Sequence, residues 1–555
     1  MKVFLLHRDR DLVLKPELED AIFRAMVESS SNPFAIENAK RNLERERATR
    51  PDSGQRAPAT ADELLTRDLE LQTIWRAMAA GDDYLYETAR RVLLSPLTEP
   101  DEIRYRQQVL ADCLQRREVV RRLYELAQEG VRAERQAGSL WSGATPSMIL
   151  RRSVDVLTLH LDVLRRLRRL ADEEREGFHS EGFRRFFAML EEELDDEYLA
   201  AVERHLGELE FKHGLLQTAR LGKGFKGRDY LVRREREPNW AERVLLGRRS
   251  SGYSFQIHPR DEAGARALDD LRARGLNDVA SAVAESAEHV RSFFTMLKLE
   301  LAFYLGCVNL HERLAARGGP TCFPDPLPGD AVSLVARGIY DISLALHLEQ
   351  RPVGNDVDAD GKALVVITGA NQGGKSTLLR ALGLAQLMLQ AGMFVGARSF
   401  RANVCTAVFT HYTREEDETM AAGRLEEELR RMRELARGFR PGCLLLCNES
   451  FASTNEREGS EIAGQMVRAL LERRLKVLYV THLYELARSL YEERRDDALF
   501  LRAERGSDGE RPYRLHEGKP LPTSYGADSY RRVFAGFPEP EPERERDPER
   551  AASGP

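Results

Sequence analysis

The chain has 555 residues, with 84 lysines and arginines against 90 aspartates and glutamates and a net charge of −6. Charged residues make up 31% and hydrophobic ones 42%, a balance that suits roughly three soluble, helix-rich domains and excludes a polycation, so any nucleic-acid contact has to come from a local patch. No apolar run approaches the roughly 20 residues that cross a bilayer, and the start, MKVFLLHRDRD, is a poor secretory signal, so a cytoplasmic protein without membrane contact is expected.

Residues 1–62 read as a small N-terminal segment, with an amphipathic helix around LEDAIFRAMVES, and a polar linker from about 37. Residues 63–315 are helical by pattern. In SVDVLTLHLDVLRRLRRLADEE, Val154, Leu157, Leu161, Leu164, Leu167 and Leu170 recur at three- and four-residue spacing and form one apolar stripe, read as core packing. The stretch 212–249 changes character: it is Gly- and Arg-rich and poorly helical in its middle. It holds eleven Lys and Arg against four Asp and Glu, a difference of +7, enough for several phosphate contacts. Phe225, Tyr230 and Trp240 are interleaved and could pack on sugars or bases. The bland alternative is a solvated arginine-rich loop over an acidic neighbour.

The Pro/Gly break RGGPTCFPDPLPGDA marks a boundary near 316. Over 316–535, apolar strands such as LVVIT, CLLLC and KVLYVTH alternate with helical stretches, the pattern of parallel α/β structure. The proline-rich, charged tail 536–555 reads as disordered. Six scattered cysteines lack metal-ligand spacing. Cys443 and Cys447 bracket one strand and stand about 13 Å apart, too far to pair, so they are expected to be reduced core residues.

The strongest motif is Gly369-Ala370-Asn371-Gln372-Gly373-Gly374-Lys375-Ser376-Thr377, which matches G-x-x-x-x-G-K-[ST] between a β-branched strand and an amphipathic helix. Glycines let backbone N–H groups curl round phosphates, and the helix N-terminus adds positive potential. Lys375 neutralises β/γ charge and the Ser376 hydroxyl ligates Mg²⁺. The strand CLLLC ends in Asn448-Glu449, where phosphate-loop ATPases carry an acid pair for the metal and the attacking water. KVLYVTH ends at His482, within reach of a γ-phosphate. The expected cofactors are ATP and Mg²⁺, with Ser376, Asn448 and Glu449 at the metal and Lys375, Glu449 and His482 catalytic.

Together these three strands resemble the ATPase core of the MutS family of DNA mismatch-repair proteins. NESFASTNEREG is similar in layout to the family's D-E-x-G-R-G-T-S-x-x-D-G, VTHLYELA to A-T-H-Y-x-E-L, and Ser524-Tyr525-Gly526 to S-Y-G. VGNDVD and FTHY also sit at corresponding places, and PLTEPDEIRYRQQVLADCL resembles the start of the family's helical core. The resemblance implies an α + α/β fold: a long helical lever and clamp region over 63–315, then a P-loop NTPase domain of the ABC type. On that resemblance the chain is expected to lack the N-terminal mismatch-recognition domains and a C-terminal nuclease-like extension. The resemblance further implies an ATPase that clamps structured or mismatched duplex DNA, in repair or recombination, as a homodimer through its ATPase domain. On that reading Lys223, Lys226, Arg228, Arg233, Arg234 and Arg236 contact DNA by structure and not by sequence. Tyr340 is a weak candidate for adenine stacking.

Two positions depart from the family. Asn448 replaces the aspartate that holds the metal shell, so weaker metal binding or turnover is expected. In Gly423-Arg-Leu-Glu-Glu-Glu-Leu a glycine stands where the family presents a serine to its dimer partner. These departures keep a second reading open: an ATP-switched scaffold with little hydrolysis and no DNA contact. A transporter ATPase is disfavoured because no L-S-G-G-Q-like motif occurs.

Overall fold

A computed structural model describes residues 1–10, 60–136, 145–211, 214–223, 226–233, 258, 260–348, 352–370, 372–414, 423–504 and 512–522. The helix expected in LEDAIFRAMVES, nearly all of the linker, Asn371, Phe225, Arg234, Arg236, Trp240, Ser524-Tyr525-Gly526 and the tail lie outside the described residues. The chain divides into two compact units, Met1–Ala331 with Asp341–Pro352 and Gly383–Cys405, and Val332–Tyr340 with Val353–Leu382 and Thr406–Pro555. The architecture is mixed: helical in the first unit, α/β in the second.

The helices are α1 Ala61–Asp68, α2 Leu71–Ala79, α3 Asp83–Leu93, α4 Pro100–Gln115, α5 Arg117–Gln136, α6 Pro146–Glu174, α7 Glu181–Glu193, α8 Asp196–Leu209, α9 Glu262–Ala315, α10 Ile342–His347, α11 Lys375–Gln390, α12 Arg424–Ala436, α13 Glu456–Glu472 and α14 Tyr484–Glu492. The strands are β1 Gln217–Leu221, β2 Gly227–Val232, β3 Asp325–Leu327, β4 Leu334–Ile339, β5 Asn355–Asp358, β6 Leu364–Gly369, β7 Ser399–Asn403, β8 Val408–Tyr412, β9 Leu444–Asn448, β10 Lys476–Val480, β11 Ala498–Ala503 and β12 Leu515–Glu517.

In the first unit α9 is the axis, packing on α2, α3, α5 and α6. Gly130 of α5 lets the two helices close up: a Cβ there would fall 2.3 Å from the Phe294 ring. On α6 the expected stripe is buried at Val154, Leu161, Leu164, Leu167 and Leu170, Leu157 is only half-buried, and Val156, His160 and Val163 widen the covered arc. The expectation of no membrane-length apolar run needs correcting. α9 is long and apolar enough over one window, 83% of which is buried inside the fold, so the run is core. Lys298 and Glu300 interrupt it, and both are buried. The Glu300 carboxylate accepts the backbone N–H groups of Leu5 and Leu6 at 2.5 and 3.0 Å, and Lys298 lies 3.7 Å over the Tyr84 ring. Buried charges persist only when compensated in this way. The Glu300 bonds also fasten the first residues of the chain to α9.

Part of the arginine-rich stretch forms an antiparallel hairpin. β1 pairs with β2, with an irregularity between Thr218 and Arg220. Arg220, Lys223, Lys226, Arg228 and Arg233 are exposed on it, and Asp229 is the one acidic residue among its described positions.

The second unit is built on a six-stranded sheet in the order β12-β11-β6-β10-β9-β8, parallel except for β12. β6, β9 and β10 are almost continuously apolar and buried, as strands covered on both faces must be. Val480 pairs with both Ile367 and Asn448. The carboxyl ends of β6, β9 and β10 therefore lie side by side, and the three loops that leave them emerge at one edge, where parallel sheets place ligands.

Candidate nucleotide site

The loop after β6 turns sharply because Gly369 has φ +110° and Gly374 +88°. Gly369 admits no side chain, since a Cβ there would stand 2.8 Å from the Ala503 amide nitrogen. α11 begins at Lys375 with no acidic residue in its first turn, so the positive end of the helix favours an anion. The buried Lys375 ammonium donates to the carbonyls of Gly369 and Ala370 at 2.8 and 3.1 Å. These bonds close the loop on itself and hold a positive charge at its centre.

One open cleft of about 320 Å³ is lined by Gln372, Gly373, Gly374, Lys375, Ser376, Glu449 and His482. Gly369, Ala370 and Thr377 are not in the lining. Asn448 reaches the cleft through Ser376, whose Oγ donates to its side-chain oxygen at 3.0 Å. Glu449, at φ +56°, directs its carboxylate toward His482, Oε2 lying 3.6 Å from Nδ1. That separation makes an ion pair and not a short hydrogen bond. The contact with His482 holds Glu449 below the usual carboxylate range, with help from Lys375. Reciprocally, Glu449 raises the histidine above its ordinary value. At neutral pH the Glu449 carboxylate is thus ionised and already engaged by its neighbour.

Among the described residues no group of three His, Cys, Asp or Glu side chains could hold a metal on its own. The oxygen set of Ser376, Asn448 and Glu449 suits a hard cation that takes its remaining ligands from water and substrate phosphates, as Mg²⁺ does. Tyr340 is only 2% exposed and presents no free face for a base. Sequence reasoning missed Tyr513, which is 50% exposed, with its Cβ 3.6 Å from the point where a Gly374 Cβ would stand. Asn355 fixes it there, donating to the Tyr513 carbonyl at 3.1 Å while accepting the Leu515 N–H at 2.8 Å. VGNDVD held that asparagine, but nothing in the sequence connected it to a residue 158 positions on.

Residues 98–317 match the family described as MutS2 N-terminal domain, and residues 365–540 match MutS domain V. The chain is MutS-related. Endonuclease MutS2 of Anaeromyxobacter sp. (strain Fw109-5) is 36% identical over 197 residues, 34% of this chain and 23% of that protein. DNA mismatch repair protein MutS of Parasynechococcus marenigrum (strain WH8102) is 31% identical over 235 residues, 42% of this chain and 26% of that protein. Endonuclease MutS2 of Thermus thermophilus is 27% identical over 343 residues, 59% of this chain and 43% of that protein. The chain therefore spans less than half the length of these MutS relatives. The first match begins inside PLTEP, and the second takes in all the residues around the cleft except those before β6.

Proposed function

We propose that this MutS-related chain is an ATP-dependent DNA-binding ATPase with a P-loop NTPase fold of the ABC type in its second unit, acting in repair or recombination on structured or mismatched duplex. The observation that carries the reading is the convergence of Lys375, Ser376, Glu449 and His482 on one cleft from three adjacent strand ends. The loop amides, the α11 N-terminus and Lys375 bind the β- and γ-phosphates. Ser376 and Asn448, with Glu449 beside them, would hold a Mg²⁺ ion, which would supply positive charge against that developing on the phosphates. Glu449 takes the proton of the attacking water. The γ-phosphate competes for His482, so nucleotide binding releases the carboxylate from its ion pair and arms it. Two copies of the chain face each other through this unit. Gly423 is the N-cap of α12, and among the described residues nothing lies within 4 Å of where its side chain would stand.

DNA is assigned to the hairpin, where Lys223, Lys226, Arg228 and Arg233 are exposed, with Arg234 and Arg236 continuing the run. Backbone charge of this kind grips without reading sequence. Asn448 favours a second reading, an ATP-switched scaffold that scarcely turns over, because an amide brings no charge to the metal. Steady-state hydrolysis with and without branched and linear duplex, with Glu449→Gln as blank, separates the two. DNA-stimulated turnover that the blank lacks supports the ATPase; nucleotide binding without turnover on any DNA selects the scaffold.

A further inference from the structure

The turn that presents Glu449 is an unfavourable one. Glu449 and Phe451 both have left-handed backbones, at φ +56° and +62°. A side chain that carries a Cβ adopts this conformation at a cost of roughly 1–2 kcal/mol per residue. Something outside the turn has to hold it, and the sequence around it offers no glycine there.

The holding groups come from β8, β10 and α12. Glu428 of α12 is buried, and its carboxylate accepts the backbone N–H of Phe451. Burial raises the pKa of this carboxyl, and the Phe451 N–H works against that rise. His411 of β8 is 1% exposed. Its Nε2 lies 3.1 Å from the Glu428 carbonyl and its Nδ1 2.7 Å from the Ser450 hydroxyl. Burial, with Arg431 nearby, lowers His411 to about 3, so the ring is neutral. A carbonyl can only accept, so Nε2 carries the proton of the neutral ring, and the one Ser450 hydroxyl hydrogen is shared between Nδ1 and the His411 carbonyl, which it also approaches at 2.7 Å. The ring also stacks on Phe451, centroids 5.4 Å apart. Tyr479 of β10 donates to the Ser450 carbonyl at 2.6 Å, and Thr413 donates to the Glu449 carbonyl through its hydroxyl and to the Asn448 carbonyl at 3.0 Å through its N–H. Neither His411 nor Glu428 lines the cleft.

We propose that Glu428 and His411 are positioning residues for Glu449, holding the Asn448–Phe451 turn so that the carboxylate faces the cleft. The inference rests on the assignment of Glu449 as the hydrolytic base. A misplacement of about 1 Å can cost on the order of 100-fold in rate, while the phosphate loop is built from other strands and keeps its hold on nucleotide. Glu428 and His411 therefore govern kcat and leave ATP affinity alone.

The test compares kcat, the ATP dissociation constant and thermal melting for the full chain, Glu428→Ala, Glu428→Gln and Ser450→Ala. Glu428→Ala is expected to lose at least tenfold in kcat with unchanged ATP affinity. Glu428→Gln, whose amide oxygen still accepts the Phe451 N–H, is expected to recover most of the loss. Ser450→Ala removes one hydroxyl without opening a cavity, so it folds even where Glu428→Ala does not, and is expected to show the same split, several-fold in size. Full turnover in a folded Glu428→Ala or Ser450→Ala, or parallel loss of kcat and affinity, overturns the inference. Absence of turnover in the parent chain removes the ATPase reading itself, and the inference with it.

Discussion

The Glu449–His482 pair allows a quantitative prediction. At 3.6 Å two unit charges attract by about 1.2 kcal/mol in bulk water and about 4.6 kcal/mol at an effective dielectric of 20. The side chains are 35% and 39% exposed, so solvent screening places the pair near the lower figure, and the entropy of holding both chains leaves about 0.5–1 kcal/mol. Glu449 is held below its ordinary 4.5, so its contribution is complete above that value and is lost as pH falls through the lowered pKa. His482 is held above its ordinary 6.5, so its contribution is complete below that value and is lost as pH rises through the raised pKa. The coupling is therefore full between pH 4.5 and 6.5 and fades on the alkaline side. A double-mutant cycle of Glu449→Gln and His482→Gln, read by denaturant unfolding of nucleotide-free protein at about pH 6 and about pH 9, measures it. A coupling as large at the alkaline pH as at the acidic one, or one above about 3 kcal/mol, refutes the assignment of an exposed ion pair.

Three further outcomes are expected. Gly369→Ala forces a Cβ to within 2.8 Å of a backbone nitrogen at φ +110° and should weaken ATP binding at least tenfold, about 1.4 kcal/mol, by equilibrium titration. Asn448→Asp returns a negative charge beside Ser376 and should lower the Mg²⁺ concentration that half-saturates turnover; an unchanged requirement would show that the amide costs the site nothing. Reversing Lys226, Arg228 and Arg233 to Glu should weaken duplex binding and flatten the log–log salt dependence by roughly 0.9 per lost phosphate contact, whereas an unaltered slope would place the DNA elsewhere.

Local chemistry was legible in the sequence, and long-range compensation was not. The 369–376 loop could be read because its glycines, lysine and serine act within one turn between a strand and a helix. Asn448, Glu449 and His482 could be read because each closes a recognisable apolar strand, and parallel strands bring their ends together. The brace behind Glu449 could not: Ser450, Glu428 and His411 are 17 to 39 positions apart, and singly each is an ordinary polar residue. The apolar length of α9 was hidden by Lys298 and Glu300, whose compensating partners include Leu5 and Leu6, nearly 300 residues earlier. The β1–β2 hairpin was hidden as well, because its arginines and glycines mask the apolar/polar alternation that marks a strand.

The most direct test is equilibrium ATP binding in the presence of Mg²⁺ by the full chain and by Lys375→Ala. Saturable binding by the parent, lost in the variant while the fold is retained, is the expected outcome. Equal affinity in the two proteins would mean that the loop closed by Lys375 is not the nucleotide site and would remove the ATPase assignment.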